Sequence, residues 1–283
     1  MNDRLEAALA DDVRVRDLEV SGEQGPLKAR LYTTGAKGKR DTLVVFFPGG
    51  GFVADDLDES DDFLRHLAGV SHTPVVLASN YTLATVRPFP AAVEDAHAVL
   101  LWAKKNKSKL GWNGKHLLVA GIEAGANLAA VCALMSRDRG APTLAGQILV
   151  MPMLDPGLST CSMREMPACP DQEKLAEGCA AAYRDYLPNA ADRTHPYASP
   201  LQSSRLKNLP PALILSADDD PLRDEAEAYG AKLASFGVQA TVRRMLPAPQ
   251  MADDRNECAC AQSALVEIAD FIAELEGQGA LQD

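Results

Sequence analysis

Leu117-Leu118-Val119-Ala120-Gly121-Ile122-Glu123-Ala124-Gly125-Ala126-Asn127-Leu128 decides how the rest of the chain is read. An apolar run of strand length enters a Gly-x-x-x-Gly pinch and leaves it as an Ala- and Leu-rich helix. A strand-to-helix turn this tight leaves no room for side chains two residues before and two after its apex, and Gly121 and Gly125 meet that demand. The apex residue is Glu123. Short glycine motifs also occur at ordinary strand-loop-helix junctions. The neighbouring stretches therefore have to choose between a functional turn and a plain one.

Upstream, Thr42-Leu43-Val44-Val45-Phe46-Phe47 is continuously apolar, as a strand covered on both faces must be, and ends in Pro48-Gly49-Gly50-Gly51-Phe52. Val13 to Val20 and Leu27 to Tyr32 alternate apolar and charged residues and read as an antiparallel pair at the sheet edge. Further strands are expected at Pro74–Ser79, His116–Gly121, Gly146–Met151, Pro211–Ala217 and Val238–Met245. Helices are expected near 59–71, from Pro90 to about Leu110 with Val93, Ala96, His97, Leu100 and Leu101 inward, at Asn127–Arg137, Glu173–Tyr186, Glu225–Phe236 and from about Glu257 to Leu275. Strands alternating with helices imply an α/β fold: an eight-stranded, mostly parallel sheet, helices on both faces, and a site at the strands' carboxyl ends. One domain spans 1–283. Within it 1–12 is a short N-terminal remnant, and 155–205, where the pattern weakens, is a cap-like insertion too short for its own core.

The chain's 283 residues carry 39 acidic and 28 basic side chains, a formal net charge of -11. That balance argues against nucleic acid and anionic membrane surfaces as partners, because no basic stripe is visible to displace counterions. No apolar window reaches membrane-spanning length, the first residues lack a signal-like core, and the expected location is the cytoplasm. Six irregularly spaced cysteines in a chain this large are expected to be reduced thiols. Cys258-Ala259-Cys260 is too closely spaced for a zinc pair, and Asp218-Asp219-Asp220 comes from one segment only, so no metal is expected. No cofactor is expected either. The first two of those aspartates read as caps of their loop, and His97, on an apolar helix face, reads as a satisfied core histidine.

Four stretches, in order, resemble the hormone-sensitive-lipase-like branch of the α/β-hydrolase fold, which includes many bacterial esterases. Phe47-Pro48-Gly49-Gly50-Gly51-Phe52 resembles its H-G-G-G motif, and Tyr81-Thr82-Leu83-Ala84 with Pro90-Ala91-Ala92 and Asp95 its Y-R-L-A-P and P-A-A-x-x-D segments. Gly121-Ile122-Glu123-Ala124-Gly125-Ala126-Asn127-Leu128 resembles G-D-S-A-G-G-N-L, and Asp220-Pro221-Leu222-Arg223-Asp224-Glu225 resembles D-P-L-x-D-E. The resemblance implies an α/β-hydrolase fold, an oxyanion hole at Gly49, Gly50, Gly51 and Ala124, and a triad whose acid position is Asp220. It also implies a serine where Glu123 stands and a histidine at about Met251. An acyl-transfer triad needs a hydroxyl nucleophile and an imidazole to carry its proton, so both proton-transfer partners are replaced.

These substitutions leave several readings open. Glu123 either folds its carboxylate onto the Gly49–Gly51 loop, where amides and a helix N-terminus favour an anion, projects into the pocket, or is a tolerated surface residue. The leading functional expectation is an esterase homologue without ester hydrolysis that binds a small apolar or acyl ligand or a protein partner. The alternative is a hydrolase using Glu123 as carboxylate nucleophile or general base; a third reading is a purely structural, oligomerising subunit. His195, in a segment near the pocket mouth, is weighed as a replacement base and set aside because Glu123 has no proton to give it. By resemblance alone, the Val238–Met245 strand and the terminal helix form an edge suited to a homodimer.

Overall fold

A computed structural model describes residues 13–35, 38–54, 57–70, 74–165, 170–245 and 259–280. Residues 1–12, Cys169, Met251 with the whole stretch 246–253, Glu257 and Cys258 lie outside the described residues. Eight strands, β1 (Val13–Ser21), β2 (Pro26–Thr34), β3 (Arg40–Phe47), β4 (Val75–Ser79), β5 (Trp112–Ile122), β6 (Gly146–Val150), β7 (Ala212–Ala217) and β8 (Ala240–Met245), form one sheet in the order β1-β2-β4-β3-β5-β6-β7-β8. Only β2 runs against its neighbours.

The continuous apolar runs are buried on both faces. Along β3, Leu43, Val45 and Phe47 enter one core, while Val44 and Phe46 enter the other. The first core is closed by α2 (Ala91–Lys105), α3 (Ala124–Arg139) and α6 (Arg223–Ser235), the second by α1 (Asp61–Gly69) and α7 (Ala259–Ala280). α3 carries the centre of the molecule: every residue from Ala124 to Ser136 is buried. Its alanines at 126, 129, 130 and 133 permit close packing, and it stops at Gly140, whose φ of 75° is the left-handed conformation glycine reaches without strain.

Two sequence expectations need correction here. α2 ends at Lys105 rather than near Leu110: Asn106 leaves the helical conformation at φ -102° and ψ 19°, and its side-chain Nδ2 donates to the Trp102 carbonyl at 2.9 Å. Leu101 does not face inward but is 43 % exposed, since the buried stripe runs through Ala92, Val93, Ala96, Val99, Leu100 and Ala103 and leaves Leu101 about 100° off it. His97 is buried, and its Nε2 lies 2.8 Å from the Ala141 carbonyl oxygen. The segment after β6 folds over the sheet's carboxyl edge as α4 (Cys161–Glu165), α5 (Pro170–Tyr186) and two short 3-10 turns, Ala190–Thr194 and Pro200–Gln202.

Candidate active site

β5 runs straight into α3 through Glu123, whose φ of 50° and ψ of -112° form the sharp apex expected of the pinch. The helix begins at Ala124, three residues earlier than periodicity suggests, because the turn consumes only the apex. A Cβ on Gly125 would strike the Phe47 and Pro48 carbonyls, and one on Gly121 would strike the Gly125 backbone, so the two glycines are dictated by contact. The Glu123 N–H is spent on the Val150 carbonyl at 3.0 Å, while its own carbonyl accepts from Asn127 and Met153 at 3.0 and 3.2 Å.

Of the courses open to the Glu123 side chain, it takes the one toward the glycine loop. Oε2 accepts from the Gly50 N–H at 3.4 Å, at the long end for such a bond, and lies 3.1 Å from where a Gly49 Cβ would sit. Gly50, at φ 96°, bends the loop so that its carbonyl accepts from Val53 and Ala54 at 3.1 and 3.0 Å. The loop is held from behind by Tyr81, whose hydroxyl donates toward the Pro48 and Gly49 carbonyls at 3.2 and 3.1 Å. Asp95 in turn fixes the Tyr81 segment by accepting from the Thr82 N–H at 3.0 Å and the Gln24 N–H at 2.8 Å. Thus two of the recognised sequence segments act as a scaffold for the third. Tyr81→Phe is expected to cost about 1 kcal/mol in urea unfolding at neutral pH, the worth of one such hydrogen bond.

Asp220 sits in the loop after β7, buried, its Oδ1 accepting from the Leu222 N–H at 2.7 Å. Burial pushes its carboxyl up to about 6 against that bond, and the negative charges of Glu123 and Asp219 push the same way. Asp218 does not cap the loop through its side chain; Oδ1 pairs with Arg244 Nη1 at 3.3 Å, because β8 brings the guanidinium alongside. Glu225, 1 % exposed, accepts the Asp155 N–H at 2.7 Å through Oε2, and burial holds its carboxyl well above the usual range. It anchors the start of the segment that follows β6. Ser162 on α4 completes the tie, its Oγ donating to the Pro221 carbonyl at 2.7 Å and its N–H to Asp224 Oδ2 at 2.8 Å.

α5 roofs the site. Ala182 Cβ lies 3.0 Å from where a Gly51 Cβ would be, and Tyr186 stacks on Phe52 at 3.8 Å between ring centres. Cys179, buried on the same helix, has its thiol pushed up to about 12 by burial, with the charges of Glu225, Glu123 and Asp220 adding to the effect. A thiol held that high is not a nucleophile at neutral pH. Neither Cys179 nor Tyr183 was singled out in the sequence, although their spacing with Ala182 and Tyr186 (i, i+3, i+4, i+7) is that of one helix face. His195 stands apart, 5.3 Å from the rings of both Phe89 and Tyr197, with Nδ1 accepting from the Tyr197 N–H at 3.1 Å. Its exposed ring belongs to the aromatic contacts at the rim.

The structure therefore brings Glu123 together with Gly49 and Gly50, places Ala124 next to the apex and Gly51 beneath α5, and sets Asp220 within reach of Glu123's charge. Among the described residues no His, Cys, Asp and Glu side chains converge as a metal site, and no helix is long and apolar enough to cross a membrane.

A family model described as the alpha/beta hydrolase fold matches residues 44–249. Esterase LipI of Mycobacterium tuberculosis is 36 % identical over 235 residues, 82 % of this chain and 72 % of its own length. An arylesterase of Saccharolobus solfataricus is 31 % identical over 242 residues, covering 84 % and 77 %. Among solved structures, an esterase of Pyrobaculum calidifontis superposes with a TM-score of 0.84 at 36 % identity, covering 98 % of this chain and 89 % of that one. With the strand order, the glycine-pinched apex and the loop facing it, these likenesses have one meaning: the chain belongs to the α/β-hydrolase family, in its hormone-sensitive-lipase-like branch of esterases.

Proposed function

We propose that the chain is an esterase-fold protein that has given up ester hydrolysis and keeps its roofed site for binding a small apolar or acyl ligand. One observation carries this reading: the apex of the elbow holds the Glu123 carboxylate, which points at the Gly50 amide. In a working acyl-transfer site those loop amides, with that of Ala124, would receive the negative oxygen of the tetrahedral intermediate. A fixed anion there engages the Gly50 donor and repels the charge that must develop. Asp220 has lost its task as well, since orienting an imidazole requires one, and the aligned position is Met251.

The retained strain at Glu123 supports a second reading, because unfavourable backbone angles persist where surroundings over-determine them, often at functional sites. Glu123 would then attack an ester's acyl carbon through its own carboxylate, forming a mixed anhydride as the ester C–O bond breaks and the alkoxide leaves, taking a proton from water. Without an imidazole to activate the water that must release the resulting anhydride, turnover would stall at the covalent stage.

The test is hydrolysis of p-nitrophenyl acetate together with labelling by a fluorophosphonate probe. Background rates and no label are expected. Hydrolysis above background that disappears in Glu123→Ala would overturn the first reading, and an acyl adduct on Glu123 found by mass spectrometry would establish the second.

A further inference from the structure

The opposite end of the sheet carries a cavity of about 370 Å³ that belongs to none of the family motifs. Its walls include Arg14 and Arg16 from β1, Arg40 at the start of β3 and Lys109, above a floor to which Leu31 and Leu110 contribute. β3 separates Arg40 from the glycine loop by its full eight residues, about 25 Å at strand rise. The cavity exists because α2 stops at Lys105. The chain then folds back through Lys109 to Gly111, whose carbonyl accepts from the Arg40 N–H at 2.8 Å, leaving the first-core face uncovered at the amino end of β1 and the carboxyl end of β2. Arg14 and Arg16, two apart on a strand, project on that face together.

The charge here is one-sided: four cations line one cavity without a partner of opposite sign among the described residues. Arg30, Arg65, Arg137, Arg139, Arg223, Arg243 and Arg244 each pair with a carboxylate. None of the cavity's four cations does so among the described residues. Arg16 Nη2 donates to the Lys109 carbonyl at 3.4 Å and Arg40 Nη2 to Thr34 Oγ1 at 2.7 Å. Asp17 and Glu19 line an adjoining groove with Arg16 and Lys109, and Asp17 is already held by Arg30 at 2.8 Å. Among the described residues no carboxylate lines the cavity itself.

We infer that this cavity is a binding site for a small phosphate monoester with an apolar body. Its volume lies in the range of small-molecule sites, which typically combine an apolar floor with a few convergent polar groups. Three guanidinium forks and an ammonium offer more donors than a carboxylate's two oxygens can use, whereas a dianionic phosphoryl group presents three terminal oxygens to take them. The site depends neither on the chemistry at Glu123 nor on its absence.

Phenyl phosphate titrated calorimetrically into the full chain at low salt tests the assignment. Saturable one-to-one binding is expected, weaker for benzoate and for inorganic phosphate, and weaker still as salt rises. The double substitution R14Q/K109Q, at two exposed side chains, is expected to reduce affinity at least about tenfold with an unchanged melting temperature. Absence of saturable binding, equal affinity in R14Q/K109Q, or inorganic phosphate binding as tightly as phenyl phosphate would each overturn it. So would tighter binding of a ten-nucleotide oligothymidylate, which would make the patch a polyanion track instead.

Discussion

Glu123→Ser combined with Met251→His is expected to raise p-nitrophenyl acetate hydrolysis at least about 10³-fold over the parent chain, with either substitution alone staying near background. The asymmetry follows from how the parts work. A serine at the apex supplies a hydroxyl and withdraws the carboxylate from the Gly50 amide, but nothing removes its proton. A histidine alone supplies a base with no hydroxyl to act on. Together, with Asp220 in the loop after β7 and the glycine loop held by Tyr81, they would reconstitute nucleophile, base and orienting acid. Steady-state rates for the parent, both singles and the double form the complete measurement. A folded double variant at background would mean that the roofing helix α5, rather than the lost side chains, closes the site to esters.

Asp220→Asn is expected to stabilise the fold at pH 7.5 by about 1–3 kcal/mol and to have little effect at pH 4. The sign follows from the displaced carboxyl. Asp220 titrates at about 6 in the folded chain against an ordinary 3.8, so between those values the folded state keeps a proton that the unfolded state has released. Stability contributed by this group is therefore intact at acid pH, falls as pH rises through the window from about 4 to about 6, and stays lost above it. Asparagine is neutral throughout and still offers Oδ1 to the Leu222 N–H. Two pK units correspond to about 3 kcal/mol, the upper end of the expected gain. Glu225, held above its usual range by burial, acts in the same direction but keeps the Asp155 N–H engaged, so it is the wrong residue to remove. Thermal melts of parent and variant at the two pH values decide the matter: a variant that melts below its parent at pH 7.5 would mean the buried charge is compensated.

These expectations divide between what one-dimensional patterning carries and what it does not. The fold was legible because its signals are local: strands buried on both faces must be apolar throughout, and a turn with carbonyls against its glycines admits no Cβ. The same locality exposed the replacement of the nucleophile, since Glu123 stands inside a motif whose other positions are intact. Where α2 ends was not legible from hydrophobic period, because it turns on one residue, Asn106, which leaves the helical conformation and donates through its side chain to the Trp102 carbonyl.

By itself the sequence determined the α/β architecture, the position of the elbow and the absence of a serine at its apex, all consequences of side-chain size and polarity at neighbouring positions. Only tertiary structure decided where the Glu123 carboxylate points, that α5 sets Cys179, Ala182 and Tyr186 over the site, and that burial raises Asp220. It also gathered Arg14, Arg16, Arg40 and Lys109 into one cavity of a chain whose net charge is -11. Net charge is a sum over the whole chain, whereas the field at a cleft depends on distance and on which carboxylates are already paired, and folding alone sets both.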